Sequence, residues 1–109
     1  MNKFEVPARV ADSVNQAETS VQVLEVKEPD GRWAMTAFSR FRVFQLLGVP
    51  YEPCDGELEG APAELLDDAA SEVDRLEVPI DALSWRLALA DALRAAAADI
   101  RMVRDARDV

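Results

Sequence analysis

The stretch from Pro79 to about Asp105 restricts the fold more than any other part of this chain. Within it Trp85, Leu89, Leu93, Ala96, Ile100 and Val103 recur at close to heptad spacing among alanines. Residues three or four apart share one face of a helix, so the pattern predicts a helix of about seven turns. Alanine keeps the surface of that helix low, which lets a second helix approach closely. The remainder of the chain has to be arranged around one long apolar stripe.

With 109 residues, a single domain spanning 1–109 and a single core are expected, the core removing about 60–70% of the unfolded surface from water. Half of the residues are apolar and 30% are charged, a globular balance. Many of the apolar residues are alanine, so the bulk of the core falls to Phe4, Trp33, Phe38, Phe41, Phe44, Leu46, Leu47, Trp85, Leu87, Leu89, Leu93 and Ile100.

Two more helices are predicted upstream. In APAELLDDAASEVDRL, Pro62 sits in the first turn, Leu65, Leu66, Ala69, Val73 and Leu76 face inward, and the acids take the far side. In SRFRVFQLLG, Ser39 is placed to cap the start and Gly48 to end the helix. Phe41 and Phe44 are assigned to core packing, with an exposed aromatic binding ledge as the alternative.

The N-terminal third carries two competing patterns. Val10, Val14, Ala17, Val21 and Leu24 recur at helical spacing, yet TSVQVLEV is rich in β-branched residues and EPDG is a good turn sequence. Given that turn, a hairpin is expected, with strands near 20–27 and 32–38, preceded by a helix near 8–17 or a short strand at 3–6. The expected fold class is therefore α+β: an N-terminal β-hairpin and about three helices, the last one long and alanine-rich.

Several chemistries are excluded by composition. The chain has no histidine and a single cysteine, Cys54, which removes Ser-His-Asp and Cys-His pairs, intrachain disulfides and the usual zinc sites. The start, MNKFEVPARVADS, has no apolar signal core, and no run reaches the roughly 18–20 apolar residues of a membrane span. A cytoplasmic protein is expected, in the host cell if the chain is virus-encoded.

DGELEG, Asp55 to Gly60, opens like a calcium loop, with acids at the first, third and fifth positions and glycine at the sixth. The twelfth position, where such a loop needs a bidentate glutamate, is Leu66, and Pro62 takes the eighth. No metal site and no cofactor are therefore expected. Asp67 and Asp68 are adjacent and point about 100° apart on a helix, which suits no acid–base pair. The chain is expected not to be an enzyme.

Charge is the most informative remaining property. Residues 1–50 carry six acids and six bases, and residues 82–109 carry four acids and five bases. Residues 51–81 hold eleven acids against Arg75 alone, so the overall charge of −9 comes from this belt. Arg101 with Asp105 and Arg104 with Asp108 are spaced to pair along the last helix. An acidic belt repels phosphate backbones and anionic lipid, so no direct nucleic-acid or membrane partner is expected.

A basic protein surface is the expected partner, steered in by charge. Glu57, Glu59, Glu64, Asp67, Asp68, Glu72 and Asp74 would form the docking surface, with Tyr51 or Leu58 as the apolar anchor. The function read from this pattern is a non-enzymatic interaction module: an inhibitor or adaptor docking on a nucleic-acid-processing protein. Nucleic-acid mimics that phages direct against host machinery, anti-CRISPR proteins included, are of this kind by analogy of class. The alternative is a structural subunit or assembly chaperone of a larger particle such as a phage head or tail, with homo-oligomer contacts through the C-terminal helix.

Overall fold

The computed structural model describes residues 6–54 and 60–107. Among these residues every regular element is helical: α1 (Ala8–Lys27), a 3₁₀ turn (Arg32–Thr36), α2 (Ala37–Leu47), α3 (Pro62–Asp74), a second 3₁₀ turn (Ile80–Ala82) and α4 (Leu83–Arg107). Phe4 lies outside the described residues.

The expected hairpin at 20–27 and 32–38, and with it the α+β class, is overturned. Residues 20–27 are the second half of α1, and 32–38 form the 3₁₀ turn and the start of α2. The helical stripe won because Val10, Val14, Ala17 and Val21 all become fully buried on one face. Burying a valine is worth about 1.5 kcal/mol or more, whereas its helix propensity costs only a few tenths. The β-branched residues off that stripe, Val23 and Val26, are left exposed.

EPDG still turns the chain. Gly31 takes φ +85°, a backbone region closed to most side chains. The Asp30 carboxylate accepts hydrogen bonds from the Arg32 backbone N–H at 3.1 Å and from its guanidinium at 2.7–3.1 Å. Trp33 then drops into the core instead of joining a strand.

The helix α2 starts earlier than its predicted cap. Ser39 lies inside the first turn and donates to the Thr36 carbonyl at 3.1 Å, while Thr36 occupies the cap position. The end is as expected: Gly48 adopts φ +79° and its N–H donates to the Phe44 carbonyl.

Both later helices follow the sequence pattern. α3 begins at Pro62 and buries Ala63, Leu66, Ala69, Ala70 and Val73. α4 buries Leu89, Leu93, Ala96, Ile100 and Val103, with Trp85 half-buried and its indole N–H donating to the Leu46 carbonyl at 2.6 Å. Leu87, expected inside, is off the stripe and exposed.

α3 packs against both α1 and α4, α2 packs on α4, and the first 3₁₀ turn touches α4, α1 and α2. Where the helices converge, the cavity lined by Val14, Val43, Leu66 and Ile100 measures about 10 Å³, room for about one water molecule. The alanines of α3 and α4 make this close approach possible.

Candidate functional site

Within the acidic belt, Glu64, Asp67, Glu72 and Asp74 of α3 are held in ion pairs with arginines of the same chain. Asp67 meets Arg101 at 2.6 Å, Glu64 meets Arg101 at 3.5 Å and Arg104 at 3.7 Å, and Asp74 pairs with Arg94. Glu72 is bracketed by Arg9 of α1 at 3.1 Å and Arg75 at 3.4 Å. Hydrogen bonds that they donate to the carboxylates of Asp74 and Asp67 hold the guanidinium groups of Arg94 and Arg101 above their usual pKa values. α4 thus turns its arginines onto the acids of α3, and both helices keep their apolar faces in the core.

The expected pairing within α4 is corrected by this arrangement. Arg101 reaches across to Asp67 and Glu64 rather than along the helix to Asp105, and Arg104 contacts Glu64 and its neighbour Asp105. An arginine side chain spans an interhelical gap as readily as one helical turn, and two carboxylates attract it more strongly than one. Asp108 lies outside the described residues.

Of the proposed docking acids, Asp68 is exposed and lines an open groove with Arg9, Ser13, Ser71, Glu72 and Arg75. Glu57, Glu59 and Leu58 lie outside the described residues, as does most of DGELEG. Its described glycine, Gly60, has φ +84°. Leu66, the position a calcium loop would need as a carboxylate, is a core residue of α3. Among the described residues, no group of three or more His, Cys, Asp or Glu is placed to hold a metal ion.

Tyr51 is half-buried at the wall of an open groove and is held by contacts within the chain. Its hydroxyl bonds that of Thr19 at 2.8 Å, and its ring meets Phe44 edge-on at 5.8 Å. The Thr19 oxygen also accepts the Cys54 N–H at 3.2 Å, and buried Asn15 accepts the Glu52 N–H at 3.1 Å. These bonds latch the stretch after α2 onto α1, satisfying extended backbone that a proline-rich segment cannot satisfy itself.

The end of the first 3₁₀ turn and α2 present two faces. Thr36, Arg40, Val43 and Leu47 are buried, at helical spacing. Met35, Phe38 and Phe41 lie on another face and are 73%, 83% and 63% exposed. The core assignment of Phe38 and Phe41 is thereby corrected; of the pair for which an exposed ledge was the alternative, Phe41 is exposed and Phe44 is half-buried against the core. The buried stripe includes Thr36 and Arg40, polar residues that hydrophobic spacing alone does not assign to an inward face.

Beside the ledge, Met35 forms one wall of an open groove of about 690 Å³, shared with Met102, Val103 and Ala106 of α4 and rimmed by Asp30 and Arg32. On its other side, Phe41 borders a smaller groove of about 220 Å³ with Glu18, Gln22, Glu25 and Arg40. No described helix is long and apolar enough to cross a membrane. Comparison with known protein families, with curated proteins and with solved structures finds no match to this chain.

Proposed function

We propose that this chain is a non-enzymatic interaction module that docks through the apolar ledge of Met35, Phe38 and Phe41. The observation that carries this reading is the exposure of three large apolar side chains, one helical turn apart, next to an open apolar groove. Isolated exposed apolar residues are ordinary on protein surfaces, but contiguous ones beside a groove mark contact sites. Aromatic and methionine side chains are the types enriched in the centres of interfaces.

A second reading keeps the inhibitor or adaptor expected from the sequence, which docks on a basic surface in the cytoplasm. It is favoured by the overall charge of −9 and by Asp68, which stands exposed on α3. The pairing of Glu64, Asp67, Glu72 and Asp74 within the chain limits what those acids can offer to a partner. In this reading the acidic surplus steers encounter and the ledge supplies lasting contact.

Immobilised protein exposed to native lysate separates the two. The ledge reading expects Phe38→Glu/Phe41→Glu to abolish specific capture at both low and high salt, with unchanged circular dichroism. Capture that survives in this variant but is lost with Asp68→Lys or at high salt would replace it with the acidic reading.

A further inference from the structure

The ledge and the groove lie side by side: Met35 lines the groove, and Phe38 follows it by one helical turn. The ledge thus runs from Met35, on the wall of a recess shared with Met102, Val103 and Ala106, through protruding Phe38 to Phe41 at the edge of the smaller groove. A twofold dimer can use this arrangement, because in an isologous contact each copy offers the patch that the other copy receives. We propose that the occupant of this surface is a second copy of the chain, with Phe38 and Phe41 of each protomer set against the ledge and groove of the other. The proposal rests on the docking reading of the same ledge.

Area supports it. Taking about 200 Å² for a large side chain, the exposed parts of Met35, Phe38 and Phe41 amount to about 400 Å² per copy. Two copies bring about 800 Å² from these three positions alone. The walls of the groove carry the total towards the roughly 1,000 Å² that a specific interface requires.

Charge supports it as well. Two chains of −9 repel, so a stable contact has to avoid the acidic part. The residues of α1, the first 3₁₀ turn and α2 belong to the half of the sequence with balanced charge, whereas the surplus lies in residues 51–81. Around the ledge, Arg40 is neutralised by Glu18 and Glu25, and Arg32 by Asp30 and Glu28. Contact through α2 therefore joins two nearly neutral surfaces and leaves both acidic helices outside the ledge contact.

Sedimentation equilibrium of the whole chain from about 1 to 200 μM, at low and physiological salt, tests this. A monomer–dimer equilibrium is expected that tightens as salt screens the repulsion between like-charged copies, and Phe38→Glu should remain monomeric throughout with unchanged circular dichroism. Met102→Glu, on the groove wall, should weaken the dimer at least tenfold. A wild-type monomer across the whole range overturns the proposal, as does a dimer that persists in Phe38→Glu. A monomer whose ledge variant still loses capture from lysate would overturn the dimer and leave the docking reading standing.

Discussion

The guanidinium of Arg40 donates to Glu18 over 2.7 Å although the two side chains are only 8% and 13% exposed. Arg40 also bonds Glu25 at 3.1 Å and the Thr36 hydroxyl at 3.0 Å. Glu18 and Glu25 are seven residues apart, about 10 Å along a helix but about 23 Å along a strand. One arginine holds both because α1 is helical there, and it ties α2 to α1 in doing so.

Removing that arginine should be costly. Arg40→Ala leaves Glu18 with little water and no cation, so a loss of about 3–5 kcal/mol is expected in urea denaturation. The double change Arg40→Met/Glu18→Leu should recover most of it, since neither charge then needs a partner. A single-variant loss below about 1 kcal/mol would mean that the pair is solvated and that α1 and α2 are not joined in this way.

The helical state of residues 20–27 can be tested at Val26, which is 80% exposed near the end of α1. Val26→Ala should leave stability unchanged or raise it by a few tenths of a kcal/mol, because alanine is the better helix former. In a strand the same change would be destabilising. The midpoint of thermal unfolding distinguishes the two signs.

Asp67 and Asp68 are neighbours with different duties. Asp67→Lys places a cation against Arg101 and should lower the melting temperature by a few degrees, an effect that shrinks as salt increases. Asp68→Lys, on the exposed side, should leave melting nearly unchanged. Equal losses for the two would show that the seam between α3 and α4 contributes no specific pairing.

Acid should loosen the turn after α1. Hydrogen bonds from Arg32 hold the Asp30 carboxyl below its ordinary value of 3.8. A carboxyl with a lower folded than unfolded pKa stabilises above the unfolded value, and the contribution is lost as pH falls through the folded one. Asp30→Asn should therefore be less stable than wild type at neutral pH, and the difference should fade as pH falls through the lowered value of the folded carboxyl. A difference independent of pH would assign the effect to the backbone bond rather than to charge.

Much of this architecture was legible in the order of residues. The stripe of α4, the proline that opens α3, the glycine that closes α2 and the spacing of Val10, Val14, Ala17 and Val21 are local signals, and each corresponds to an observed element. The hairpin expectation failed where two local signals overlapped. β-branched content and a good turn favoured strands, but the apolar stripe over 8–24 had a groove of α3 to fill, which propensity alone does not register.

The site was less legible for the same reason. The regional charge count located the acids correctly but not their partners, because Arg94 and Arg101 are far from Asp74 and Asp67 in sequence and meet them only when α4 lies along α3. By itself the sequence determined the helix-forming stripes, the balance of charge and the chemistries that its missing histidine rules out. Only the tertiary structure decided which stripe of α2 is buried. Val43 and Leu47 found a surface on α4, while Phe38 and Phe41 were turned about 100° or more away from it. A helix has one inward face, and the apolar residues that exceed it stay at the surface.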